Sequence, residues 1–153
     1  MTARFLMLLI VLFGSGAFAQ TSYHTKNPDE ARQWFLTHSH SVTVMGSTPL
    51  FPGFTDALVA GLLQKRMKVQ IITGDAGVQP FRRVAQAGGS VRLRSGAFTA
   101  KNGYSGTIVL LDARYMLTRR GDIWFLIEYV EAVTQVQSRF DLLWQYCQPI
   151  PLR

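Results

Sequence analysis

The stretch 55–75, TDALVAGLLQKRMKVQIITGD, decides how this chain folds. Thr55 or Asp56 can cap a helix, and Leu58, Val59, Leu62 and Leu63 recur at helical spacing. Lys65-Arg66 then places positive charge at the helix's negative end. Val69 to Thr73 reads as a compact apolar strand. The order repeats at once: a helix from about Gln79 to Ala87, stopped by Gly88-Gly89, leads into a strand from Val91 to Arg94. Upstream, Val42 and Val44 alternate with smaller residues in a strand from Ser41 to Met45, and Gly46 to Gly53, with Pro49 and Pro52, must loop. Alternating strands and helices of this kind build a parallel sheet with helices on its faces. The predicted fold class is therefore α/β, a largely parallel mixed sheet flanked by helices.

Outward from this centre the pattern changes. Ser95 to Gly106 is polar and Gly-rich, a long loop. Thr107 to Leu111 and Arg114 to Leu117 read as two strands around a tight Asp112-Ala113 turn, and Ile123 to Ile127 as a further strand. From Glu131 to Tyr146 an amphipathic helix presents Val133, Val136, Phe140, Leu143 and Trp144, with Pro149 ending it. On the other side, Thr21 to Asp29 is a polar lead-in. Pro28, Asp29, Glu30, Trp34 and Phe35 suggest a short amphipathic turn with acids near its positive end.

Arg4, the apolar run Phe5 to Phe13 and the small residues ending at Ala17-Phe18-Ala19 follow the order of a secretory signal peptide. The run is about half of the roughly 20 residues that a membrane-spanning helix needs. Cleavage after Ala19 is expected, leaving residues 20–153 as one exported domain, periplasmic or secreted, with no transmembrane segment. The single cysteine, Cys147, rules out an intramolecular disulfide, so packing must supply stability. Either it is buried, the usual place for an unpaired cysteine, or it bridges two chains. The formal charge of +7 suggests a polyanionic partner such as nucleic acid or an acidic surface of the cell envelope.

With these parts in order, the chain resembles one half of the phospholipase D superfamily, most closely its small exported members with one half-site per chain. The resemblance is carried by residues 55–75, by FRRVAQAGGSVRLR at 81–94, by TIVLLDARYMLT at 107–118 and by IWFLIEYVEAVTQVQSRFDLLW at 123–144. It implies a single phospholipase D-like domain, a homodimer that brings two half-sites together, and phosphodiester chemistry through a motif HxKxxxxD. In that chemistry one His attacks phosphorus, a second protonates the leaving oxygen, and Lys stabilises charge on the phosphoryl oxygens.

The motif is degenerate here. With Asp112 at the motif Asp, Ser105 stands at the His and Thr107 at the Lys, while Arg119, Arg120 and Asp122 replace the Gly, Ser and Asn downstream. An Asp in a strand-connecting turn also has an ordinary structural explanation. Ser105 has no His near it in sequence, and Gly103 to Thr107 fails the GxSxG elbow. His38 and His40 have a spacing that could hold a metal, but no acid or cysteine accompanies them, so no metal is expected. Gly74 and Gly77 match neither nucleotide-binding glycine motif, and no cofactor is implied. Arg92 and Arg94 should share one side of their strand, where Lys101, Arg119 and Arg120 can join them in a phosphate-binding group. The expectation is a catalytically defective domain that binds a polyanion or an envelope partner. The alternatives are a diverged phosphodiesterase or endonuclease acting on nucleic acid or phospholipid, and a structural envelope subunit.

Overall fold

A computed structural model describes residues 6–13, 16–96 and 106–153, with side chains from residue 21 onward. Nine strands form a single sheet. They are β1 (Leu6–Phe13), β2 (Gly16–Thr25), β3 (Ser41–Met45), β4 (Lys68–Thr73), β5 (Ser90–Leu93), β6 (Ile108–Leu111), β7 (Tyr115–Arg120), β8 (Ile123–Glu128) and β9 (Gln148–Pro149). The helices are α1 (Pro28–Thr37), α2 (Phe54–Leu63), α3 (Val78–Gln86) and α4 (Val130–Trp144). Across the sheet the order is β1-β2-β8-β7-β6-β3-β4-β5-β9.

The mixed α/β architecture in one domain is as expected, but its balance differs. Only β3–β4 and β4–β5 pair in parallel, where α2 and α3 supply the crossovers. The remaining neighbours are antiparallel. For β6–β7 and β7–β8 the reason is local: the Asp112-Ala113 turn and Gly121 each return the chain directly beside itself, and a hairpin can only be antiparallel. Asp112 and Ala113 both have positive φ, 54° and 52°, and the amide of Arg114 donates to the Leu111 carbonyl, which closes a primed turn; Arg114 is a third loop residue, since Leu111 pairs with Tyr115.

Other boundaries move for identifiable reasons. Thr21 to Thr25, expected as a polar lead-in, is the part of β2 that pairs with Trp124 to Glu128 of β8. Strand β7 runs on to Arg120 rather than stopping at Leu117, because Arg119 and Arg120 stay in register with Trp124 and Ile123. Helix α2 starts at Phe54 behind a left-handed Gly53, without a side-chain cap from Thr55 or Asp56. Helix α4 ends at Trp144, before Pro149, which instead joins β9 beside Arg92. Pro28 does open α1, with Asn27 as the cap that accepts from the Asp29 amide.

One face of the sheet carries the main core. Val42, Val44, Val69, Ile71, Val109, Leu111, Leu117 and Leu126 pack there against Phe35, Phe51, Phe54, Phe81 and Val84. Phe35, Phe51 and Phe54 meet edge-on, an arrangement that aromatic quadrupoles favour. On the opposite face Phe140 and Cys147 pack with Met45 and Ile72 beneath α4. Farther along that same face, by strand alternation, lie the half-buried Ile108, Met116, Phe125 and Ile127.

Candidate functional site

Strand β6 has a cleft at one end and a tight turn at the other. At the first end Thr107 lies just before the strand and is buried. Its hydroxyl donates to the carbonyl of Thr48 and lies 3.2 Å from the Thr48 hydroxyl. Thr107 comes this close because Gly46 has no side chain. A Cβ on Gly46 would stand 2.6 Å from Thr107 Oγ1 and 2.7 Å from its Cα, and the glycine's φ of 148° is one other residues rarely adopt. The loop from Gly46 to Gly53 is tied down again where Trp124 Nε1 donates to the Leu50 carbonyl at 2.9 Å.

Thr48, Leu50, Thr107, Arg119, Arg120 and Gly121 thereby line a cleft of about 450 Å³. Arg119 Nε donates to the Gly121 carbonyl at 2.7 Å, and its guanidinium lies 4.7 Å from the centre of the Trp124 ring. Arg120 is exposed. Nearby, Asp122 faces Lys26 at 3.7 Å, an exposed pair of little strength. Among the described residues the lining contains no histidine, cysteine or carboxylate.

At the far end of β6, roughly 15 Å away at ~3.3 Å per strand residue, Asp112 is committed elsewhere. Its Oδ1 accepts from the amides of His40 and Ser41, both at 2.9 Å, and Oδ2 lies 3.2 Å from His40 Nδ1. The carboxylate thus pins the start of β3 to the hairpin turn. His38 stacks near Tyr115, with ring centres 4.1 Å apart. Among the described residues no group of three metal-ligating side chains occurs.

The site residues named from the sequence divide. Arg119 and Arg120 meet Thr107 in the cleft, whereas Ser105 and Lys101 lie outside the described residues. Arg92 and Arg94 do not line the cleft. Arg92 donates to the Trp144 carbonyl at 2.8 Å and lies over that indole at 4.3 Å, so it is part of the α4 packing. Both arginines act on the Cys147 thiol, lowering its pKa less than burial raises it. Gly77 has a packing role: a Cβ there would overlap Thr73 Oγ1. Asp75 accepts from Ser95 Oγ and the Gly96 amide, and these bonds hold its carboxyl below the usual range. Sequence reasoning missed Gly46 and Thr48. The Gly46 to Gly53 loop gave a signal only of irregular backbone, and the close approach that matters is to a residue sixty positions away.

No family model matches the sequence, and no curated protein sequence does. Solved structures do match. Nuc from Salmonella typhimurium, a phospholipase D family member, superposes with a TM-score of 0.59 at 14% identity, over 85% of this chain and 96% of that one. NucT from Helicobacter pylori gives 0.59 at 12% identity, over 86% and 99%. The fold is that of the phospholipase D superfamily. TrmBL2, an archaeal chromatin protein with a novel mode of DNA binding, also superposes on this chain (TM-score 0.58, 10% identity, 83% of this chain and 53% of that one). At such identities the likeness is one of fold.

Proposed function

We propose that this is an exported domain that binds a polyanion, nucleic acid foremost, in the cleft beside Thr107 and does not hydrolyse phosphodiesters. The observation that carries this reading is the cleft lining: two guanidinium groups and two hydroxyls, with no imidazole or carboxylate among the described residues. Arginine can grip phosphate oxygens in a planar fork without doing chemistry. Covalent phosphodiester cleavage needs an activated nucleophile and a proton donor for the leaving oxygen. Thr107 occupies the lysine position of the motif with its hydroxyl already bonded to Thr48, and among the described residues no imidazole or carboxylate lines the cleft to activate it. The DNA-binding relative in fold adds support from the partner's side.

Export rests on the leader-like order of residues 1–19. The pairing of β2 with β8 is compatible with cleavage after Ala19, since it uses only Thr21 to Thr25. Among the described residues no helix is long and apolar enough to cross a membrane. Homodimerisation belongs to the same reading, and the half-buried row Ile108, Met116, Phe125 and Ile127 is an apolar surface suited to a second copy.

The test is a paired assay on the purified protein. Filter binding should retain DNA at low salt, without sequence preference and with steep loss as salt rises. Plasmid nicking should stay at the buffer blank. Nicking that Arg119→Ala abolishes would establish the diverged-endonuclease alternative. No DNA retention at low salt would leave a partner protein or a structural role.

A further inference from the structure

We propose that the turn joining α2 to β4 docks on an anionic bilayer. This turn lies at the end of the sheet opposite the cleft. The Lys68 amide donates to the His40 carbonyl beside the start of β3, whereas Gly46 to Thr48 leave the other end of that strand for the cleft. Lys65, Arg66 and Lys68 are all exposed here, and Leu63 beside them is 68% exposed. Asp112, Glu128 and Glu131 lie at this end and all three are occupied, Asp112 by His40, Glu128 by Arg114 and Glu131 by the Tyr129 hydroxyl. Three cations within four residues therefore have no carboxylate partner among the described residues.

The backbone supplies a second, independent observation. Helix α2 closes in a Schellman motif: the Arg66 amide donates to the Gly61 carbonyl and the Lys65 amide to that of Leu62. The residue in the left-handed position is Lys65, with φ 55°. Glycine is the usual occupant because any side chain there meets the following carbonyl. A cation at a helix C-terminus complements the helix dipole, but that accounts for Arg66 and does not require a lysine in the strained position. Lys65 stands against the conformational preference of the backbone, and such outliers point to function.

An exposed apolar side chain among unpaired cations selects the occupant. Leu63 can enter the boundary between headgroups and acyl chains while the three cations reach lipid phosphates, their aliphatic stems lying along the interface. A nucleic acid would engage the cations and leave Leu63 in water. Docking through this end would leave the cleft facing away from the bilayer, open to a second ligand.

Vesicle co-sedimentation tests this on the full chain, so that any lipid affinity of the N-terminal segment is common to all variants. Vesicles of phosphatidylcholine with phosphatidylglycerol should bind more than phosphatidylcholine alone. Lys65→Glu with Arg66→Glu and Lys68→Glu should weaken that binding roughly a hundredfold, at about fivefold per cation. Leu63→Ser should weaken it severalfold at every salt concentration. Lys65→Gly guards against misfolding: it should melt no lower than the parent yet bind about fivefold more weakly. Unchanged vesicle binding in the triple variant and in Lys65→Gly would overturn the proposal, as would equal binding to both vesicle types. Loss of DNA retention rather than vesicle binding from these variants would reassign the surface to nucleic acid. Arg119→Glu with Arg120→Glu should leave vesicle binding intact, so the cleft reading and this one can fail separately.

Discussion

The two ends of β6 are both fastened to β3, but by different means. At the Asp112 end a carboxylate takes two backbone amides and an imidazole, and nearly all its bonding capacity is used. At the Thr107 end the strands meet by backbone proximity over Gly46 and by a hydroxyl on Thr48, which leaves Arg119 and Arg120 beside an open cleft. A saturated polar cluster holds structure together. An unsaturated cationic one is available to a ligand.

The largest effect should come from Gly46→Ala. The added Cβ meets Thr107 backbone as well as its side chain, and φ 148° is unfavourable for alanine, so unfolding free energy should drop by about 3 kcal/mol or more. Chemical denaturation measures it. A loss below 1 kcal/mol would mean the two segments can separate cheaply, and the cleft would have no fixed wall.

Next, Arg119→Glu with Arg120→Glu should weaken DNA binding roughly a hundredfold at low salt and flatten the salt dependence by about two phosphate contacts. Reversal at Arg32 or Arg153, which do not line the cleft, should do much less. Equal losses from all four sites would show that net charge rather than the cleft retains DNA.

Asp112 is the counterpart at the other end. Asp112→Ala should cost about 1.5 kcal/mol of stability, from lost amide partners and an alanine placed at φ 54°. Asp112→Asn keeps an acceptor and tolerates that backbone, so it should retain most of the stability. Neither should alter DNA binding. A change in affinity without a change in stability would reconnect Asp112 with the cleft.

How much of this could be read from the chain follows from how local each feature is. The β3–α2–β4–α3–β5 unit was legible because its periodicities are contained in short windows, and the Asp112-Ala113 turn because two strands flank it directly. The antiparallel majority was harder to see: Thr21 to Thr25 looks polar in isolation and becomes a strand only because β8 offers it an edge. The arginines illustrate the same limit. Arg92 alternates correctly along β5, yet whether it meets a ligand depends on Trp144, fifty-two residues away, which takes its guanidinium. Arg119 and Arg120 reach the cleft because the strand continues past Leu117, and register across three strands decides that.

The smallest effect should be at Cys147, beneath α4 on the sheet face opposite the main core. Its side chain is buried with Met45, Ile72 and Phe140, and its Sγ lies 3.1 Å from the Leu143 carbonyl. Burial pushes the thiol's pKa up, with Arg92 and Arg94 opposing only in part. The neutral thiol is thus favoured in the fold, and its contribution to stability is present at neutral pH and fades as pH rises through the raised value. Two outcomes follow. Iodoacetamide should modify native Cys147 far more slowly than the unfolded chain at neutral pH, because the thiolate is the reacting species. Cys147→Ser should lower stability by no more than about 1 kcal/mol, since serine can keep the bond to Leu143 while losing some apolar contact. It should also leave the light-scattering mass unchanged. Rapid alkylation of the native protein would show the thiol accessible, whereas a mass halved by the serine variant under non-reducing conditions would place Cys147 in a bridge between two copies.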